Sequence, residues 1–377
     1  MLAACHACAH AFGARRKPCA WPPGVGRACN YTSLARNPFD IGACDFAERK
    51  RTSDMNEHSR SGPRPVVAEI ADIEARLEAQ NYICNSAIAT ALFLAQSLDK
   101  PLLIEGPPGV GKTELAKAAA AMTGKALIRL QCYEGLDETK ALYEWKYGKQ
   151  LLYTQVLKEK LGDLLQGAQG LKESIGRLHE FDDTFFSEEF LEPRPLLKAL
   201  WEPGGAILLI DEIDKADDEF EAFLLELLSD YQISVPELGT IKAKSTPLVF
   251  LTSNNKRELG DALKRRCLHL HIPFPDQALE QSIVRRRVPE AEARLNVQLV
   301  AFVQGLRKLD LKKVPAISET LDWARTLVLM HARELDADLV RDTLNVLLKY
   351  QDDIEAVDSE ISALVVAAKK EAEWRVK

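Results

Sequence analysis

Nowhere in the 377 residues is there an apolar run approaching the ~18 residues that a membrane-crossing helix requires, so no membrane span is expected. Positive charge is not in excess. There are 49 Lys and Arg against 56 Asp and Glu, a net charge of −7, which argues against nucleic acid as a partner. Only three of the eight cysteines (Cys84, Cys132 and Cys267) fall beyond residue 54. They are scattered as reduced thiols of a cytoplasmic protein would be, and they build no disulfide framework. Aromatic residues make up 7%, with no aromatic–basic stripe of the kind that stacks single-stranded bases. What remains is the ordinary composition of a globular chain, 46% hydrophobic and 28% charged, long enough for two or three domains.

The first 54 residues differ from the rest. They hold Cys5, Cys8, Cys19, Cys29 and Cys44 and carry a charge of about +4, leaving about −11 on the remainder. Pro18, Pro22, Pro23 and Pro38 interrupt any periodicity. Residues 1–63 are therefore expected to be a disordered extension, and Met55 offers an alternative start. Cys5-x-x-Cys8 with His6 and His10 hints at zinc, but a second pair at matching spacing is missing. A targeting peptide would suit the basic balance but not the lack of a continuous apolar segment or an amphipathic Arg helix.

The strongest signal lies at 106–113, Gly-Pro-Pro-Gly-Val-Gly-Lys-Thr. It matches the phosphate-loop pattern G-x-x-x-x-G-K-[ST]. The apolar run Leu102 to Ile104 precedes it as a buried strand would, and the Ala-, Leu- and Lys-rich stretch from Glu114 to Met122 follows as a helix. Gly109 and Gly111 free the backbone to turn several N–H groups inward. The loop Gly106, Pro107, Pro108, Gly109, Val110 and Gly111, with the helix start at Glu114, would cradle phosphates. Lys112 supplies a point charge to the β- and γ-phosphates and Thr113 a hydroxyl to Mg2+.

A second run, Ala206-Ile-Leu-Leu-Ile-Asp211-Glu212, ends five apolar residues in two acids. It suits a central strand with its carboxyl end at a ligand. Asp211 is the expected Mg2+ partner and Glu212 the group that polarises the attacking water. A third run, 247–254, ends in Asn254, whose amide could reach the γ-phosphate or that water. Leu263-Lys-Arg265-Arg266-Cys267 and the run 268–274 follow.

In this order the phosphate loop, Leu209–Asp214, Thr252–Asn254 and the Arg265-Arg266 pair resemble an AAA+ ATPase. Ser229–Gly239, Cys132–Asp137 and Ala141–Trp145 resemble the hairpin and insertion of the MoxR group, and Ile317–Arg325 the lid of a CoxD-like subgroup. The resemblance covers roughly 66–350. It implies a P-loop α/β core with a five-stranded parallel sheet at 64–275, helical insertions at about 134–200, and an all-helical lid at 276–377 hinged near 273–275. It further implies ATP and Mg2+, Asn254 as sensor 1, and Arg266, with Arg265 as runner-up, as an arginine finger acting on a neighbouring subunit in a hexameric ring. A solvated helix end is the plainer reading of that pair.

The family's sensor 2 arginine has no clear counterpart, since Thr320 takes its place and Arg325 lies two turns on. The resemblance also implies a remodelling chaperone. It would work with a von Willebrand A domain protein on a client metalloenzyme such as a molybdenum hydroxylase. A weakly hydrolysing regulatory switch and a DNA-acting motor are the alternatives. Glu212 argues against the first and the charge against the second.

Around this frame, 64–98 should supply two helices. Asn81, Tyr82 and Ile83 are candidates for the adenine side or, equally, for core packing. Phe220, Phe223, Leu224, Leu227 and Leu228 recur at helical spacing over 216–230. Val235–Pro236 closes one arm of a hairpin that has Leu238 and Gly239 at its tip. Such a tip faces a pore or client in a ring, or is a plain surface feature. Phe185, Phe186 and Phe190 could pack the insertion onto the core. The pattern from Ile354 to Ala368 reads as one long last helix.

Overall fold

The computed structural model describes residues 66–164, 187–235 and 238–375. The expectations for the cysteine-bearing N-terminal stretch, Met55, Phe185, Phe186 and Pro236 fall outside these residues. In chain order the strands are β1 (Leu102–Glu105), β2 (Ala126–Gln131), β3 (Tyr143–Trp145), β4 (Leu191–Pro193), β5 (Ala206–Asp211), β6 (Gln232–Val235), β7 (Gly239–Lys242), β8 (Leu248–Ser253) and β9 (Leu268–His271).

Five of these strands form one parallel sheet in the order β2-β5-β8-β1-β9. Parallel strands need helical crossovers, which cover both faces and exclude water. The central strands β5 and β8 accordingly read as near-continuous apolar runs buried along their whole length, whereas the edge strands β2 and β9 carry polar residues and are partly exposed. Side-chain alternation divides the sheet between two cores. Leu102, Ile104, Ile207, Leu209 and Phe250 point to one face, and Leu103, Leu208, Ile210, Val249 and Leu251 to the other.

The first face is covered by α1 (Val66–Ala79), α2 (Ser86–Ser97) and α3 (Lys112–Thr123). The second carries the insertion, with α4 (Glu138–Ala141), α5 (Tyr147–Leu164), α6 (Pro195–Trp201) and then α7 (Asp218–Asp230). Asp217 caps α7 by accepting from the Phe220 N–H at 2.8 Å, and Phe220, Leu224, Leu227 and Leu228 are buried as their spacing predicts. Phe190 is buried in the same core and meets Tyr153 edge-on at 5.3 Å. The insertion also holds the antiparallel ribbon β3–β4, which helical expectations omitted. Three residues per strand are too few for a period of two to register. Antiparallel β6–β7 forms the expected hairpin, with Gly239 opening the return arm opposite Val235.

Beyond α8 (Asp261–Arg266) and β9 the described chain is helical: α9 (Gln277–Arg287), α10 (Ala293–Leu306), α11 (Ile317–Leu329), α12 (Ala337–Leu347), α13 (Gln351–Asp358) and α14 (Ile361–Arg375). Their apolar faces make a third core around Phe302 and Trp323, whose rings lie 5.3 Å apart. The expected single last helix is two, α13 and α14. The chain turns at Ser359–Glu360, where the Glu360 N–H returns to Val357 O at 2.8 Å. Val357 and Ile361 are both fully buried, so the turn keeps the apolar pattern facing the core that a straight helix was expected to serve.

Candidate nucleotide site

The loop after β1 and the helix start at Lys112 lie at the carboxyl end of the sheet, beside the ends of β5 and β8. This is the switch point of a doubly wound sheet. Gly106, Gly109 and Gly111 have φ of 154°, 75° and 100°. The last two lie in the left-handed region that glycine enters without strain. Space matters as much as φ. A Cβ on Gly106 would stand 2.1 Å from the Ile272 carbonyl oxygen, and one on Gly109 would stand 2.6 Å from Ala316 Cβ and 2.7 Å from Ser318 Oγ. The loop thus touches both the strap leaving β9 and the start of α11.

Lys112 is buried. Its ammonium donates to Gly106 O at 2.7 Å, Pro107 O at 2.8 Å and Asn254 Oδ1 at 2.8 Å. Burial lowers its pKa, and the charges of Asp214, Asp211 and Glu212 oppose that shift. Thr113 Oγ1 donates to Asp211 at 3.1 and 3.3 Å. Asp211 Oδ1 also accepts from Thr252 Oγ1 at 2.5 Å, and that hydroxyl accepts from the Glu212 N–H at 2.9 Å.

Glu212 adopts φ 57°, ψ 50°, a left-handed conformation that costs a non-glycine residue of order 1–3 kcal/mol. The bend turns its carboxylate off the strand. Oε1 accepts from Asn254 Nδ2 at 3.3 Å, and Oε2 accepts from Gln131 Nε2 at 2.9 Å and pairs with Lys215 Nζ at 2.5 Å. Asp214, by contrast, caps backbone N–H groups of Asn254 and Lys256, both at 3.2 Å, and so shapes the turn.

Lys112, Thr113, Asp211, Glu212 and Asn254 line one cavity of about 290 Å³ together with Pro108, Gly109, Gly111, Glu114, Thr252 and Ser318. Arg129 lines it as well. Its Nε and Nη2 reach Asp211 Oδ2 at 3.1 and 2.5 Å, and Nη2 also donates to Gln131 Oε1 at 2.6 Å. Sequence reasoning passed over Arg129 and Gln131. The available signal was that both interrupt an apolar strand near its carboxyl end.

A second, apolar cavity of about 170 Å³ adjoins the first and shares Gly109, Gly111, Glu114 and Ser318 with it. Asn81, Tyr82, Ile83 and Val110 line it from the core, and Ile272, Pro275, Leu279, Ile283, Arg286, Arg287, Ile317 and Leu321 from the strap and the C-terminal helices. Tyr82 is buried, and burial, then Cys84 and Glu114, push its pKa up. Two arginines tie the rim. Arg286 Nε donates to Asn81 Oδ1 at 3.0 Å, and Arg287 Nη2 meets Glu114 Oε2 at 3.0 Å. Burial would raise the Glu114 pKa, but Lys117 and Arg287 prevail and hold it below its usual value.

The residues considered for sensor 2 lie elsewhere. Thr320 is fully buried and donates to Glu280 Oε1 at 2.9 Å. Glu280 in turn takes a two-pronged contact from Arg307, 2.7 Å on each side. Losing one partner of such a buried pair costs ~3–5 kcal/mol, so Thr320 belongs to the frame of the C-terminal helices. Arg325 is exposed and pairs with Asp322. Arg265 and Arg266 sit at the other end of the sheet. The Leu268 N–H bonds Pro101 O at 2.8 Å, so ~13 Å of strand separates them from the phosphate loop. Arg266 Nε donates to Ser229 Oγ at 2.5 Å, and neither arginine lines the two cavities.

The oxygen donors Thr113 and Asp211, within bonding distance of each other, fit a hard divalent cation such as Mg2+. Residues 101–267 match the family described as AAA domain, dynein-related subfamily. Uncharacterized proteins of Staphylococcus aureus strain bovine RF122 and Staphylococcus haemolyticus are 27% and 26% identical to this chain over 247 residues, 64% of this chain and 79% of theirs. A solved structure, the Holliday junction branch migration motor RuvB of Thermotoga maritima, is 16% identical with a TM-score of 0.38, over 73% of this chain and 69% of its own.

Proposed function

We propose, starting from a P-loop AAA+ core with a helical C-terminal region, that this chain binds and hydrolyses ATP and spends the energy on remodelling a partner protein. One observation carries the reading. Lys112, Thr113, Asp211, Glu212 and Asn254, scattered over 142 positions of sequence, line one cavity, where Lys112 meets Asn254 at 2.8 Å, Thr113 meets Asp211 at 3.1 Å and Asn254 meets Glu212 at 3.3 Å.

Lys112 and the loop amides from Gly106 to Glu114 hold the phosphates. Thr113 and Asp211 would hold Mg2+, which when bound neutralises charge on the β- and γ-phosphate oxygens. Glu212 accepts a proton from the attacking water, and Asn254 fixes that carboxylate and the γ-phosphate relative to Lys112. Tyr82, Ile83 and the apolar cavity take the base.

The distance of Arg266 from its own cavity supports a finger that serves a neighbouring subunit, with Arg265 as the alternative. A closed ring, hexameric by the family resemblance, follows from such an arrangement. The MoxR-like and CoxD-like sequence features support a chaperone that matures a metalloenzyme, such as a molybdenum hydroxylase, alongside a von Willebrand A domain protein. Among the described residues no helix is long and apolar enough to cross a membrane, and a cytoplasmic setting is part of the proposal.

Phosphate release by the purified chain with Mg2+ and ATP tests the reading, and a flat trace overturns it. Arg266→Ala should cut turnover by about 10³-fold, the scale of an arginine finger, and leave ATP affinity intact. Mixing it with Glu212→Gln should restore activity, because hybrid rings regain one complete site. No recovery at any ratio would remove the in-trans role.

A further inference from the structure

Asp211, the carboxylate proposed above for Mg2+, is already paired with the guanidinium of Arg129. Only 4% of its side chain is exposed, and its acceptor positions are taken. Oδ1 receives the Thr113 and Thr252 hydroxyls, and Oδ2 receives both Nε and Nη2 of Arg129. A carboxylate offers about four lone-pair sites, so an ion ligated directly at Oδ2 has to displace Arg129. Arg129 is half exposed, at 50%. It stands on β2, the edge strand beside β5, outside the phosphate-loop and acidic-strand motifs. Its planar fork fits a carboxylate edge better than any other side chain, and the second use of Nη2 on Gln131 fixes that orientation.

We infer that Arg129 is the resting counter-ion of the magnesium site, a guanidinium that neutralises Asp211 in the empty protein and must let go of Oδ2 before a metal can bind there. The inference rests on the nucleotide-site reading and adds a residue whose work is to set the magnesium requirement. The cost of release is moderate, because the guanidinium is half in water and passes from carboxylate to solvent without burying its charge. No other charged side chain reaches Asp211 Oδ2 among the described residues.

The role predicts two effects of opposite sign in Arg129→Gln. Without metal, Asp211 is left as an uncompensated anion facing the phosphates, and nucleotide affinity falls. With metal, the competitor is gone, and less magnesium is needed to reach full binding. The probe is a fluorescent N-methylanthraniloyl derivative of the non-hydrolysable analogue AMPPNP. It is titrated onto the full chain in EDTA and then at rising Mg2+, so no turnover is involved.

We expect affinity in EDTA to drop about fivefold and the Mg2+ midpoint to fall about tenfold, with the native circular dichroism spectrum retained at the assay temperature. A midpoint that stays put or rises, or affinities that fall together in both buffers, would overturn the counter-ion role and leave Arg129 as a structural prop. If the wild-type chain fails to bind the probe at any Mg2+ concentration, the nucleotide-site reading fails and this inference fails with it.

Discussion

The phosphate end and the apolar cavity share four residues but are built in opposite ways. The phosphate end is assembled from short contiguous windows, 106–113, 211–212 and 252–254, each ending a strand of one rigid sheet. The apolar cavity draws on 81–83, 109–111, 272–287 and 317–321, and about half of its wall belongs to the strap and the C-terminal helices together. Chemistry that demands fixed donors sits on the sheet. Recognition that needs only a shaped apolar slot sits where two bodies of helix and sheet meet. The first depends on charge, and the second on the separation of its walls.

The comparison can be broken at its strongest point. Glu212→Gln should lower turnover by ~10²–10⁴-fold, the usual weight of a general base, with ATP affinity unchanged. Steady-state phosphate release and calorimetry check the two halves, and normal hydrolysis would move the base elsewhere.

Lys112→Ala tests binding at the same end. Removing an ammonium with three bonds should weaken ATP and inorganic tripolyphosphate alike by about 100-fold. Equal affinity in variant and wild type would refute the phosphate-loop assignment. Leu279→Trp addresses the other region by filling the slot. It should weaken ATP by about tenfold and spare tripolyphosphate, and loss of both would mean that the two regions are not separable.

The smallest effect concerns the seam between them, the Glu114–Arg287 pair. Glu114 is held below its usual value of 4.5, so the stabilisation it gives is complete above that pH and fades as pH falls through the folded-state value. The wild type should melt about 1 °C above Glu114→Gln at pH 7, the scale of an exposed ion pair, and the gap should shrink steadily as pH is lowered below the usual carboxylate range. A gap that stays constant over the same descent would show that the contact contributes packing and no charge.

The same contrast explains what could be read in advance. Gly106–Thr113 and Ala206–Glu212 declare themselves because strand, loop and helix stand side by side in the chain, and each residue type has one chemical use. Tyr82 and Ile83 could be nominated only as one of two readings, since an apolar residue looks alike in a core and in a slot. Arg286 and Arg287 close the rim from a helix end. There, basic residues are expected in any case as partners of the helix dipole, so their sequence context conceals them.

Thr320 matched by position and not by environment, because Glu280, 40 residues earlier, claims its hydroxyl. The turn at Ser359–Glu360 carries no proline or glycine to announce it. Arg129 was hidden for a different reason. Its partner lies 82 residues away on the neighbouring strand, a pairing that emerges only once the order β2-β5 is known.

The bare Cα of Gly106 has a mechanical consequence. It lies against the Ile272 carbonyl, while the Ile272 N–H is bonded to Glu105 O at 2.8 Å. The root of the strap is therefore riveted to the loop, so that whatever moves one moves the other.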